Sequence, residues 1–511
     1  MARLASLVAV ATIVAALAGC GGSSGSGGAG DPATAVPVGA TFYLEATVRP
    51  SGGQRGDALD AAGKLLRAQD PAGRIRRLVS RAFARSHFDY ARDVEPWLGP
   101  KAALWSDPGG PGARGAAILS TTDVGEARDA IARAVKASSE GFAKRTYHHT
   151  DYELNRAGEA VAIVGSFAVF GTEPELERTI DAQAGRSLAS DARFKKALAG
   201  LPGGRLGTFY VDPRTVFDAA ARRDPAAAAQ LRRLESAYGL ANAGPIAGAL
   251  SVTGDKLTVD TIGSSALARS FGGVAGSTPL VAQLPGDAWV AVGMPKLGQS
   301  AKAAVGRVAG ALGGAALSSE LRSQLGLDLE RDVFSWMGDA ALFVRGNTAS
   351  TVDGGLVIQA TDQDRAASGF GKIVGVLNAR RIGATPVRID GAEAAFAIRR
   401  PGAARPIVLA RDADRVVVAY GQQAAAEALS PREKLGDGPA YERAKSLLGD
   451  GLEPNVIVNV PSAVTLASSA PHRGARHFAQ ARRALGAVGI VASGGTVDGD
   501  TARSRAVAEL R

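Results

Sequence analysis

Short apolar runs with strand-like alternation fall at residues 41–46, 102–105, 116–120, 160–170, 206–211, 247–252 and 257–261, bounded by Gly, Pro and Asp. Gly254-Asp255 between the last two is a hairpin signal. Between these runs the apolar period lengthens to that of a helix. Residues 123–138, opened by Asp123, place Ala127, Ala130, Ile131 and Val135 on one face. Strands that follow strands, with helices interposed irregularly, predict an α+β fold of mostly antiparallel sheets covered by helices.

The pattern occurs twice. Residues 89–99 read D-Y-A-R-D-V-E-P-W-L-G and residues 328–338 read D-L-E-R-D-V-F-S-W-M-G, identical at six of eleven positions at an offset of 239. Trp occurs only four times in the chain, which gives the match weight. Thr122-Asp123 returns as Thr361-Asp362 at the same offset. Pro37 before Phe42-Tyr43 resembles Pro285 before Trp289-Val290, Val169-Phe170-Gly171 resembles Ala419-Tyr420-Gly421, and Tyr210-Val211-Asp212-Pro213 resembles Val458-Asn459-Val460-Pro461. This order of landmarks predicts a tandem duplication, residues 36–265 and 283–511, joined by a connector at 266–282. Asp93, Trp97 and Gly99 then correspond to Asp332, Trp336 and Gly338. Asp at a turn, then a large ring, then Gly before a strand predicts a capped turn with a core anchor, the Gly permitting a sharp bend.

The N-terminus carries a different signal. An apolar run follows Arg3 and is too short to span a bilayer. It ends in Leu17-Ala18-Gly19-Cys20, which resembles the bacterial lipobox, so residues 1–20 are expected to be a lipoprotein signal peptide with Cys20 as the acylated residue. Cys20 is the only cysteine, so the folded part is expected to carry no thiol chemistry. Residues 21–35 begin with a Gly/Ser tract and predict a flexible tether. Formal G-x-S-x-G and G-x-G-x-x-G matches inside that tract lack the flanking strand and helix such motifs need.

The lipoprotein leader, the Pro-led first strand near Phe42-Tyr43 and the D-V-x-x-W-[LM]-G signature at residues 93–99 together resemble the bacterial family called domain of unknown function 3352. The resemblance covers nearly the whole chain beyond the leader. It implies secreted or membrane-anchored proteins and carries no catalytic residue, activity or cofactor across.

Composition adds limits. With 511 residues, 46% apolar and 21% charged, the chain is long enough for two or three domains with real cores. The net charge is +10, yet 49 acidic residues are interspersed among the 59 basic ones and no basic block appears, which argues against nucleic acid. Asp89 and Asp93 are four apart, as an acid/base pair on a helix face could be, but Arg92 and Pro96 beside them favour a structural role. His148-His149, in a strand-like run, point to opposite faces. His472 and His477 are five apart, and His87 stands alone, so no metal or cofactor site is expected. Two basic stretches, Arg74, Arg77, Arg81 and Arg85 on one helix and Arg473, Arg476, Arg482 and Arg483 near the C-terminus, could meet anionic head groups. The expectation is a non-enzymatic extracytoplasmic lipoprotein, held to the cell membrane by lipid on Cys20, that binds an envelope protein. The alternative is a carrier sheltering an apolar ligand between sheet and helices. A broad exposed apolar patch would mark the former, a large apolar cavity the latter.

Overall fold

The computed structural model describes residues 30–83, 89–107, 114–223, 226, 228–237, 243–270, 276–312, 323, 326–469, 482 and 485–511. They form two compact units, essentially the residues up to Gly263 and those from Ser264 onward.

The first unit holds ten strands: β1 (Phe42–Thr47), β2 (Leu98–Asp107), β3 (Arg114–Thr121), β4 (Ala143–Tyr147), β5 (Thr150–Leu154), β6 (Glu159–Val164), β7 (Phe167–Thr172), β8 (Gly207–Val211), β9 (Ile246–Thr253) and β10 (Lys256–Ser264). Antiparallel pairings order them β4-β5-β6-β7-β3-β2-β1-β8-β9-β10. Alternation puts Tyr43, Ala103, Trp105, Ile118, Val169 and Tyr210 on one face, buried with Leu176 and Ile180 of the helix Glu173–Ala184. On the opposite face Trp97, Ala102, Leu119 and Ala168 pack with Ala127, Ala130 and Ile131 of the helix Val124–Ala137.

The second unit holds β11 (Val290–Met294), β12 (Met337–Arg345), β13 (Asp353–Ala360), β14 (Ala384–Pro386), β15 (Ala394–Ile398), β16 (Ile407–Arg411), β17 (Arg415–Tyr420), β18 (Val456–Asn459), β19 (Val488–Asp498) and β20 (Thr501–Leu510). Their order, β14-β15-β16-β17-β13-β12-β11-β18-β19-β20, is that of the first unit strand for strand. One face packs Phe343, Val357 and Val417 against the helices Gln422–Leu429 and Pro439–Leu448. The other packs Trp336, Ala340, Ile358 and Val416 against Ala366, Phe370 and Val374 of the helix Gln363–Ala379.

Several expectations are corrected. The run at 160–170 is two strands, because Gly165 at φ +59° turns the chain between β6 and β7. His148-His149 lie in no strand: both have positive φ and form the two-residue turn of the β4–β5 hairpin. Residues 32–35 of the expected tether are a 3-10 helix whose Ala33 and Ala35, with Val36, are buried. The expected connector at 266–282 likewise contains part of the helix Ser265–Ser270 and the buried core residues Leu280 and Val281. Each fold therefore starts before its predicted boundary, and the two starts match. Pro37 bridges Ser187 as Pro285 bridges Lys434, and the carbonyls of Val36 and Leu284 accept from the amides of Leu188 and Leu435. The alignment of Tyr210 with Val458 slips by one residue, as does that of Phe42 with Trp289, and that of Phe170 with Tyr420 slips by two. Ladder partners equate Val211 with Val458, so the buried Tyr210 matches the buried Ile457.

These buried residues make the first segment part of the fold. A chain starting at residue 37 is expected to be less stable than one starting at residue 30 by about 3 kcal/mol or more, since burying one Val side chain is worth about 1.5–3 kcal/mol. Denaturant unfolding of the two chains measures the difference, and equal midpoints would contradict it.

Candidate functional site

The repeated motif is a turn that locks a tryptophan under a helix. Residues Tyr90–Val94 form one turn of π-helix capped by Asp89, whose carboxylate accepts from the Arg92 amide at 3.1 Å. The buried Asp93 closes the turn from inside, its Oδ2 accepting from the Asp89 amide at 2.9 Å. The Arg92 guanidinium holds the same carboxylate through Nε at 2.9 Å and Nη2 at 2.8 Å, with Arg133 of the following helix at 4.0 Å. The Asp93 carbonyl accepts from the fully buried Trp97 indole. The Trp97 carbonyl in turn accepts from the Thr122 amide at 2.8 Å and hydroxyl at 3.1 Å, and Asp123 caps the next helix by accepting from the Glu126 amide.

The second copy repeats the capping, turn and indole bonds, with the arginine bonding through Nε alone. Asp328 accepts from the Arg331 amide, Asp332 from the Asp328 amide at 3.0 Å, and the Asp332 carbonyl from the Trp336 indole at 3.0 Å. Thr361 bonds the Trp336 carbonyl and Asp362 caps the helix. Here Lys372, at the position equivalent to Arg133, reaches Asp332 at 2.8 Å, beside Arg331 at 3.0 Å. An open depression of about 570 Å³ lies outside this turn, lined by Asp328, Arg331, Asp332, Arg365, Ser368 and Lys372.

Charge pairing settles what these carboxylates can do. The Arg92 guanidinium holds the Asp93 carboxyl below its ordinary range, against the cost of burial. Arg331, then Lys372, lower that of Asp332 further. Both stay ionised and paired at neutral pH, which suits a staple and not a proton donor. Gly99 and Gly338 also act differently from expectation. Neither has positive φ, and both stand where the first rung of the β2–β3 or β12–β13 ladder shifts register. A Cβ on Gly99 would lie 2.5 Å from Ser120 Oγ and 2.9 Å from Ser120 O; on Gly338 it would lie 2.9 Å from Thr361 Cγ2. The glycines admit the neighbouring strand and do not bend the chain.

A second shared feature had no sequence signal. On the sheet face that carries the tryptophan, ladder partners align Phe170, Ala117, Leu104, Leu44 and Phe209 in one row across five strands. All but Ala117 are partly exposed. In the second unit the same row reads Val418, Leu356, Leu342, Val292 and Val456, none of them buried, with Leu342 at 37% exposure. Strands about 4.8 Å apart make each row about 19 Å long.

Other candidates do not converge. His148 Nε2 stands 3.7 Å from Asp181 on the surface. Among the described residues no group of three or more His, Cys, Asp or Glu could hold a metal ion, and no helix is long and apolar enough to cross a membrane. Cys20, His87, His472, His477, Arg85, Arg473, Arg476 and Arg483 lie outside the described residues.

Two outcomes follow for the motif. Trp97→Ala and Trp336→Ala are each expected to cost about 3–5 kcal/mol of stability, read from denaturant midpoints, and unchanged midpoints would contradict the burial account. The pKa of Asp332 is lower folded than unfolded, so its stabilising effect is full above the unfolded value near 4 and fades as pH falls toward the folded one. Asp332→Asn is expected to destabilise at pH 7, with the gap to wild type closing on acidification below about pH 4. A gap that does not change with pH would contradict the ionised pairing.

No curated protein matched the chain. Among solved structures, crystal form I of TP0453 aligns over 46% of this chain and 78% of its own at 13% identity with a TM-score of 0.26. Crystal form IV of TP0453 aligns over 46% and 80% at 14% identity and 0.24. Such scores are too low to carry an argument about fold or role. A family profile described as protein of unknown function (DUF3352) matches residues 3–450, which include both motif copies, all ten strands of the first unit and seven of the ten in the second. This chain, built from two tryptophan-locked α+β units, therefore belongs to the DUF3352 family of proteins of unknown function.

Proposed function

We propose that this chain is a membrane-anchored extracytoplasmic lipoprotein, acylated at Cys20, whose two units are tandem copies of one domain and dock the apolar surface of an envelope protein without catalysing a reaction. The observation that carries the docking is the apolar row, present at the same place on both sheets and left partly open to solvent. A face that served only as core would be expected to be covered along its length, as the opposite face is by its helices.

The duplication is supported by identical strand order and by the matching hydrogen bonds of the motif. It is also supported by a charge reversal. The buried Arg345 faces Asp353 across β12 and β13, with Nε to Oδ1 at 2.8 Å, while the equivalent rung of β2 and β3 has Asp107 opposite Arg114. In the first unit the described ion-pair partner of Asp107 is Arg178 of the helix Glu173–Ala184, at 3.4 Å. The anchor is supported by the leader and Cys20.

The carrier reading rests on the same apolar row, with a lipid in place of a protein, so one experiment separates them. A photo-crosslinking residue at Leu342, and separately at Leu104, is activated in native membranes. The docking proposal expects discrete protein adducts at both positions and none from exposed Asp129. Lipid adducts alone would assign the carrier instead, and no adduct at either position would overturn both. For the anchor, wild type is expected to take up labelled fatty acid and Cys20→Ser is not; equal labelling would remove it.

A further inference from the structure

The helix Pro71–Phe83 contains four arginines and no acidic residue. Ile75 and Val79 bury one side of it against Ala62, with Leu66, Phe83 and Tyr90 around them. At 3.6 residues per turn, Arg74, Arg77 and Arg81 fall within about 60° of one another, on the side opposite the buried pair. All three are exposed, and among the described residues none makes an ion pair. Arg76, on another side, pairs with Glu95 and so ties the helix to the motif. Three like charges turned outward on a helix already held by Ile75 and Val79 repel one another, and a counter-charge outside the unit would relieve that repulsion.

Its position indicates what supplies that charge. The chain enters the first unit at Gly30, where a Cβ would lie 3.0 Å from the Phe167 ring and 3.3 Å from Ser166 Oγ. The Ser166 carbonyl accepts from the Thr121 amide and hydroxyl, and the next residue, Thr122, bonds the Trp97 carbonyl. The entry point and the arginine helix thus share one end of the sheet, linked through the motif. Only ten residues, nine of them Gly or Ser, separate Cys20 from Asp31. Ten residues reach at most about 35 Å even when fully extended. Lipid on Cys20 would therefore hold this end of the unit within about 35 Å of the bilayer and let it approach to the screening length over which head-group charge acts, about 10 Å at 0.1 M salt.

We infer that Arg74, Arg77 and Arg81 form a docking surface for anionic lipid head groups, which seats the first unit on the membrane and leaves the apolar rows to a partner. The inference deepens the anchored reading, yet it makes a claim about the folded unit alone. Guanidinium forks suit phosphate oxygens, and each cation held at an anionic surface strengthens binding about fivefold at low salt.

The test uses residues 21–511, which keep every described residue and lack the acylation site. Sedimentation with vesicles of phosphatidylcholine containing about one third phosphatidylglycerol is compared with pure phosphatidylcholine. Binding to the anionic vesicles only is expected, weakening steeply with salt and falling at least about tenfold in Arg74→Gln/Arg77→Gln/Arg81→Gln. The Arg→Lys triple variant is expected to retain most of the binding, and matching thermal melts establish that both variants fold. Equal binding by the Gln variant, equal binding to neutral vesicles, loss in the Lys variant, or binding to soluble polyphosphate with none to vesicles would each overturn the inference. Failure of the anchor would show separately, as absence of acyl label on Cys20 with vesicle binding intact.

Discussion

One buried hydrogen bond recurs at the centre of each unit: an indole N–H donated to the carbonyl of the aspartate four residues before it. Both groups are shut off from water, and a buried donor left unpaired costs about 1–3 kcal/mol, so the chain must bring them together or not bury the ring. The bond is made at the end of a turn wider than an α-helical one, and the Asp93 and Asp332 carboxylates stabilise that turn by accepting from the amide at its start. From the tryptophan carbonyl the next two bonds fix the end of the adjacent strand and the cap of the following helix. Turn, two strands and helix are thereby placed relative to one ring.

The helix seated this way covers only the part of its sheet face near the tryptophan. Ala130 lies against the motif in the first unit, and Gly369 holds the equivalent place in the second, where a Cβ would stand 2.2 Å from the Asp332 carbonyl oxygen. These small residues let the helix sit close to the turn. Further along the face, the rows through Leu104 and Leu342 stay partly exposed, although the strands that carry them are central in their sheets. This face of each unit therefore presents apolar area on its sheet, beside a motif carboxylate already paired with its own cations. Such a surface suits the docking proposed above, in which shape and hydrophobicity set the fit.

Much of this was legible in local sequence. The motif copies, the helix at 123–138, the final hairpin and the mixed, mostly antiparallel class all follow from period and turn chemistry, which act over a few residues. What was missed depends on pairing across distance. Ala33, Ala35 and Val36 look like the end of a tether because small residues after a Gly/Ser tract give no sign that a core will cover them. The spacing at Gly99 and Gly338 predicts a bend, and only the register of the neighbouring strand shows a close approach. Lys372 and Arg133 become partners of an aspartate forty residues earlier in the chain because a helix folds back on the turn. The apolar rows are assembled from five strands whose order in the sheet differs from their order in the chain. A one-residue slip at Tyr210 was enough to put the wrong side chain on the buried face.

The central claim, that each unit is locked by its indole bond, is tested most directly by native-state hydrogen exchange at the Nε1–H of Trp97 and Trp336, followed by NMR. A locked indole can exchange only when its unit opens. Both protons are expected to exchange as slowly as the central-strand amides of the same unit, such as Ala103 and Ala341, and to accelerate with them as denaturant is added. Exchange at the rate of a solvent-exposed indole, with those amides still protected, would show that the ring moves freely in the folded unit and that the lock does not exist.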